Sequence, residues 1–276
     1  MANSTLQSAV KFSTSKVKTL TNNPLQFFIK AGLAGAYIGF AVIFAFKIGD
    51  GFAQAGSLVP SLFAGLAFSF ALLTIIFGGV DLFTSNTMYL TMGVLEKKSR
   101  VKDLIKVWIA TYIGNLIGVL VFTFLFVNTG LFDNIQPDHS LLTSAESKMN
   151  ITISEMFFRG ILCNWLVCLA VWIPMQTNNG AAKVMLIMMI VTAFFVSGYE
   201  HSIANMALFS VALSVPHPET ITFIGGLTNL FFVTLGNIIG GSLFVGAAHV
   251  YINRELKEKK TNISETAKSI TKKIEF

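Results

Sequence analysis

The sequence predicts an all-α integral membrane protein of six spans, built as two inverted halves of three spans each. Three observations predict it. Of the 276 residues, 53% are hydrophobic and only 12% are charged, about half the charged share of a soluble domain. The apolar residues gather in six segments long enough to cross a bilayer core of about 30 Å. Two of those segments are over-long, and polar residues interrupt them at matching places.

The elements follow in order. Residues 1–25 are polar and basic without an apolar core, so no cleavable signal is expected there. Leu6, Val10, Val17 and Leu20 recur near helical spacing, which predicts an amphipathic N-terminal segment on the cytoplasmic membrane surface. A transmembrane domain over 26–252 then holds the six apolar segments, at 27–46, 58–95, 104–127, 156–172, 184–213 and 221–251. The longest polar connection is 128–150, and a charged cytoplasmic tail over 253–276 completes the chain.

Charge orients these spans. With six crossings both termini share a side, and that side receives 17 of the 20 Lys and Arg. Only Lys47, Lys148 and Arg159 fall opposite. The excess predicts a multi-pass protein of the cell's inner (plasma) membrane with both termini cytoplasmic. The basic residues flank apolar spans instead of forming a face with interleaved aromatics, so the net charge of +6 does not point to nucleic acid.

An internal repeat relates the halves. "GNLIG" at 114–118 matches "GNIIG" at 236–240, and "DLFTSN" at 81–86 matches "EHSIAN" at 200–205. Three spans per half force the second to be inserted upside down, which places a pathway at the bilayer midplane. The matched stretches, each following a glycine, read as interruptions of the second and fifth helices. Broken backbone at that depth requires protein or a water-lined cavity around it. The GxxxG spacings at Gly35/Gly39, Gly114/Gly118 and Gly236/Gly240 predict close helix approach.

Ionisable groups in a membrane are costly and point to function. His201 is the one histidine in the middle of a span, and imidazole exchanges protons near neutral pH. The matched acids Asp81 and Glu200, with Asn86 and Asn205, are expected to hold the broken backbone in shape. Asn164 is an amide in an apolar span and needs a partner. Lys148 matters if its loop folds over the pathway, where a cation concentrates anions. Cys163 and Cys168, at i, i+5, are expected to be buried and unpaired. No nucleotide loop, hydrolase motif or spaced Cys/His set is present, so neither an enzyme nor a metal or other cofactor is expected. A water or glycerol pore would show paired Asn-Pro-Ala half-helices, which are missing.

At "DLFTSN", "CNWLVCLAVW", "GYEHSIANM" and "VTLGNIIGG" the chain resembles the formate–nitrite transporter family, over about residues 10 to 255. The resemblance implies an aquaporin-like six-helix fold, a homopentamer, and a separate pore in each protomer. It implies a central pore histidine at His201, with Thr84 and Asn164 beside it and a vestibule lysine at Lys148. It further implies apolar constrictions at Leu72, Leu82 and Val167 on one side and at Phe68 and Phe194 on the other. Members carry small monovalent anions, and overall likeness is nearest the hydrosulfide-channel branch. The expected function is therefore an anion channel, for hydrosulfide with possible formate and nitrite permeation. In it, Lys148 attracts the anion and a proton delivered near His201 lets it pass the constrictions. The alternative is a formate or nitrite channel or proton-coupled transporter.

Overall fold

The computed structural model describes residues 2–254; the tail read from 253–276 lies outside them beyond Arg254. The first helix, α1 (Ala2–Asn22), buries Leu6, Ala9 and Ser13 against the protein. It lies along α4 (Phe83–Leu95), so close that a side chain at Gly93 would collide with Ser13. Asn23 accepts a hydrogen bond from the Gln26 N–H, and Pro24 follows at the first helical position. This pairing of an Asn cap with a Pro start restarts the chain as α2.

Six crossings follow. The first is α2 (Pro24–Gln54), the third α5 (Val101–Val127) and the fourth α7 (Ile153–Trp172). The second is α3 (Pro60–Gly78) followed, after a break, by α4, and the fifth is α8 (Gly180–Val196) followed by α9 (Ser202–Ala212). The sixth is α10 (Phe223–Ile239), which continues through a π-helical segment, Gly240–Ala247, to Arg254. All-helical halves α2–α5 and α7–α10 are thus inverted copies. Arg254 donates to Glu96 at 2.9 Å, which brings the end of the sixth span to the side that carries α1.

Packing repeats with the sequence. Helix α2 lies on α5, α7 on α10, and α3 meets α8 between the halves. At Gly118 a Cβ would strike the Gly32 carbonyl, and at Gly240 the Ile161 carbonyl, so the two GxxxG pairs let backbones touch. Large apolar side chains such as Ile113, Ile117, Leu120 and Phe124 stay exposed on α5, as a lipid- or subunit-facing surface requires.

Two elements differ from the sequence reading. The first span runs beyond residue 46 to Gln54, about 46 Å at 1.5 Å per residue, because the helix continues through the polar residues Lys47, Asp50 and Gln54 after its apolar stretch ends. The connection 128–150 is not all loop: α6 (Ser140–Asn150) buries Leu141, Leu142, Ala145 and Met149 on one face.

Candidate functional site

Each interrupted helix turns on a left-handed glycine, Gly79 with φ +63° and Gly198 with φ +70°. These conformations cost little only without a Cβ. The extended chain beyond each glycine is stapled by one asparagine from the neighbouring span. Asn115 Oδ1 accepts from the Phe83 N–H at 2.9 Å, while its Nδ2 donates to the Asp81 and Ala31 carbonyls at 2.9 and 2.8 Å. Asn237 does the same for the other half: Ser202 N–H at 2.9 Å, and the Glu200 and Gly160 carbonyls at 2.9 and 2.8 Å. The Asp81 N–H reaches the Lys30 carbonyl, as the Glu200 N–H reaches that of Arg159. Backbone that lipid could not satisfy is thereby satisfied internally.

The two acids each hold a lysine from a helix that precedes its half. Lys16 of α1 pairs with Asp81, and Lys148 of α6 pairs with Glu200 at 2.6 Å. Their surroundings differ. Glu200 also receives Asn205 Nδ2, and Asn229 links Asn205 to the Lys148 carbonyl. Asn86, the counterpart of Asn205, instead donates to Thr111 at 2.9 Å, and its own buried Oδ1 has no partner among the described residues.

Between the breaks lies a cavity of about 10 Å³, room for about one water. Phe68, Leu72, Leu82, Val167, Phe194 and His201 all face it. Phe68 and Phe194 meet edge to face with centroids 6.0 Å apart, and Phe194 lies 6.2 Å from the His201 ring at 24°. Its one polar lining residue is His201, whose Nε2 lies 3.2 Å from Thr84 Oγ1, the two forming a dyad. His201 is also the N-cap of α9: its Nδ1 accepts the Ala204 N–H at 3.1 Å. An accepting Nδ1 fixes the neutral tautomer with the proton on Nε2. Protonation to imidazolium would set two donors against each other at Nδ1, so the cap opposes it.

Asn164 stands one bond behind this dyad. Its Nδ2 lies 3.2 Å from the Thr84 carbonyl, 2.9 Å from Thr87 Oγ1 and 2.6 Å from the Asn237 carbonyl. It is buried and, like Thr84, does not line the cavity, and it braces the Thr84 backbone carbonyl. Cys163 and Cys168 are buried and unpaired.

On the side carrying α1 a vestibule of about 470 Å³ opens. Lys16, Lys30, Lys183 and Asp81 line it, and Leu72 and Ile75 separate it from the central cavity. Helix α3 runs from the opposite side toward this one, so Phe68 closes the cavity on the far side. There Lys148, with 22% of its side chain exposed, covers the 1%-exposed Glu200.

Lys16, Asn115, Asn229 and Asn237 carry site geometry that reading the sequence did not assign. The signal for two of them was present, since Asn115 and Asn237 are the shared Asn of the repeated "GNxxG". Lys16 had no such signal beyond its place on an amphipathic helix.

Comparison with known proteins gives a consistent result. A family model described as formate/nitrite transporter matches residues 4–251. The nitrite transporter NirC of Escherichia coli (strain K12) is 39% identical over 251 residues, covering 89% of this chain and 91% of NirC. An FNT family ion channel of known structure superposes with a TM-score of 0.85 at 34% identity, over 90% of this chain and 98% of that one. A pentameric formate channel with formate bound gives 0.70 at 30% identity, over 83% and 97%.

Proposed function

The chain belongs to the formate/nitrite transporter family, and on that premise we propose that it conducts hydrosulfide, with formate and nitrite as lesser permeants. It is a membrane channel for small anions and not an enzyme. The proposal includes a homopentamer with one pathway per protomer, as in the formate channel whose structure it resembles, and both termini in the cytoplasm of an inner-membrane protein.

The observation that carries the mechanism is the meeting of apolar side chains, Phe68, Leu72, Leu82, Val167 and Phe194 among them, with His201 around a cavity of one-water size, the ring being hydrogen-bonded to Thr84. A bare anion entering it loses hydration at a cost of several kcal/mol or more. A neutral acid avoids most of that cost. Lys148 draws the anion to the far mouth; its ammonium has three donors and the structure occupies one with Glu200. On the near side Lys16, Lys30 and Lys183 outnumber Asp81. The resting imidazole donates Nε2–H to Thr84 Oγ1, a contact that a permeant at His201 displaces. Neutralisation uses the imidazolium, formed when Nδ1 releases the Ala204 N–H and takes up a proton from water: imidazolium and anion then give imidazole and the neutral acid. From the far mouth the permeant passes Phe68 and Phe194 before Leu72, Leu82 and Val167, and from the near side it meets them in the reverse order.

Hydrosulfide suits this route because its conjugate acid is weak and apolar, so the proton step is easy and the product fits apolar walls. Formate and nitrite give stronger acids that retain hydrogen-bonding oxygens. They form the second reading, favoured by the 39% identity to a nitrite transporter. Competitive flux of sulfide, formate and nitrite in the same proteoliposomes decides between them. Sulfide is expected to dominate; formate or nitrite outcompeting it overturns the assignment. Lys148→Ala is expected to reduce uptake at low substrate, and normal uptake removes its anion-gathering role.

A further inference from the structure

Away from the pathway, a groove of about 490 Å³ lies between α1, the α4–α5 turn and the end of the sixth span. Lys11, Lys98 and Arg254 converge on it, against a single carboxylate, Glu96. Arg254 is committed to Glu96 and to the Leu95 carbonyl. Lys11 and Lys98 are exposed and have no carboxylate partner among the described residues. The groove therefore holds an excess of two positive charges at the level where α4 leaves and α5 enters the apolar region.

A second observation is independent of charge. Asn253 lines the same groove and is only 4% exposed. Its Nδ2 donates to the His249 carbonyl at 2.7 Å, which fixes the amide's orientation, and its buried Oδ1 has no hydrogen-bond partner among the described residues. A buried acceptor left unpaired is costly, so the groove calls for a donor as well as an anion. Leu6 and Val10 supply its apolar wall.

We propose that this groove binds the headgroup of an anionic phospholipid bearing a hydroxyl beside its phosphodiester, as phosphatidylglycerol does. The phosphate sits between Lys11 and Lys98, and the headgroup hydroxyl donates to Asn253 Oδ1. The ester-linked glycerol lies against Leu6 and Val10. Basic pockets between membrane helices at the interface select such headgroups. A choline headgroup brings a cation into a positive groove and no donor for Asn253. Once bound, the lipid ties α1 to the α4–α5 turn and the sixth span, on the helix that also carries Lys16 to Asp81.

The test uses the full-length protein, delipidated in detergent, with thermal melting and native mass spectrometry as readouts. Phosphatidylglycerol is titrated beside phosphatidylmethanol, which has the same phosphodiester charge without the hydroxyl, and beside phosphatidylcholine and inorganic phosphate. Phosphatidylglycerol is expected to raise the melting temperature and to bind on the order of fivefold tighter than phosphatidylmethanol. The double variant Lys11→Gln/Lys98→Gln is expected to lose the preference for both anionic lipids, and Asn253→Leu to make those two lipids equal. Equal binding of phosphatidylcholine, or full binding by the double variant, overturns the proposal. Equal affinity of the two anionic lipids for the parent protein removes the Asn253 contact, and with it the headgroup assignment. Stabilisation by inorganic phosphate alone makes the groove a free-phosphate site instead.

Discussion

The two helix breaks share one backbone and differ in what they present to the pathway. In both, a glycine turns the chain, an asparagine from a neighbouring span staples it, and a lysine from an outlying helix covers the acid. Yet the repeat aligns Leu82 with His201 and Thr84 with Ile203. The first break caps α4 with an apolar side chain that makes no hydrogen bond, whereas the second caps α9 with imidazole. Symmetry thus builds the scaffold, and its violation builds the dyad: the hydroxyl comes from one half and the ring from the other. The lesson is that the matched positions hold the backbone and the mismatched ones supply the two polar groups of the dyad.

The strongest way to break this comparison is through the staples. Asn115→Ala and Asn237→Ala each strand one buried N–H and two carbonyls, at about 3 kcal/mol or more. Both variants are expected to lower the melting temperature of the purified protein to a similar degree. One variant behaving like the parent would show that the halves are not equally dependent on their staple.

A smaller effect should separate the acids. Glu200→Gln leaves Lys148 unpaired within a network that includes Asn205 and Asn229, a loss of about 3 kcal/mol. Asp81→Asn removes one partner from a largely buried Lys16, which keeps the Tyr89 ring 5.5 Å away and the vestibule beside it; about 2 kcal/mol is expected there, less than a buried charge left with no partner. Urea or thermal unfolding of both variants compares them directly. Equal losses would mean that the richer second network adds nothing.

Much of this architecture was legible in the sequence because the repeat prints itself twice. "DLFTSN" and "EHSIAN" marked both breaks, and the five constriction residues named from resemblance do converge with His201 on one cavity. Other parts were hidden for physical reasons. The partners of Asn115 and Asn237 are mostly backbone atoms from distant segments, which no side-chain pattern announces. Lys16 sits on a polar face where most lysines are simply solvated. Helix α6 buries only four side chains, too few to stand out in a connection rich in Asn, Asp and Ser. Asn164 illustrates a subtler gap, since its need for partners was evident but its place behind Thr84 was not.

A still smaller effect belongs to the far side, at the start of α6. His139 caps α6 through Nδ1, with Nε2 3.7 Å from Asp50. Burial holds its pKa below the ordinary 6.5, with the Asp50 carboxylate opposing that shift. A depressed histidine contributes stability in its neutral form, fully present above about 6.5 and lost as pH falls through that value toward the folded pKa. The melting temperature is expected to decline slightly in that direction, and His139→Asn, which can still cap, to flatten the slope. An unchanged slope in the variant would assign the pH effect to another group.

The central claim rests on His201, and sulfide flux through proteoliposomes holding the parent or His201→Asn tests it most directly. Asparagine is a good N-cap, so α9 keeps its start while the exchangeable proton is lost. The account predicts a fall in flux of about 100-fold, with its pH dependence flattened. Unchanged flux with unchanged pH dependence would contradict it and take the imidazole out of the mechanism.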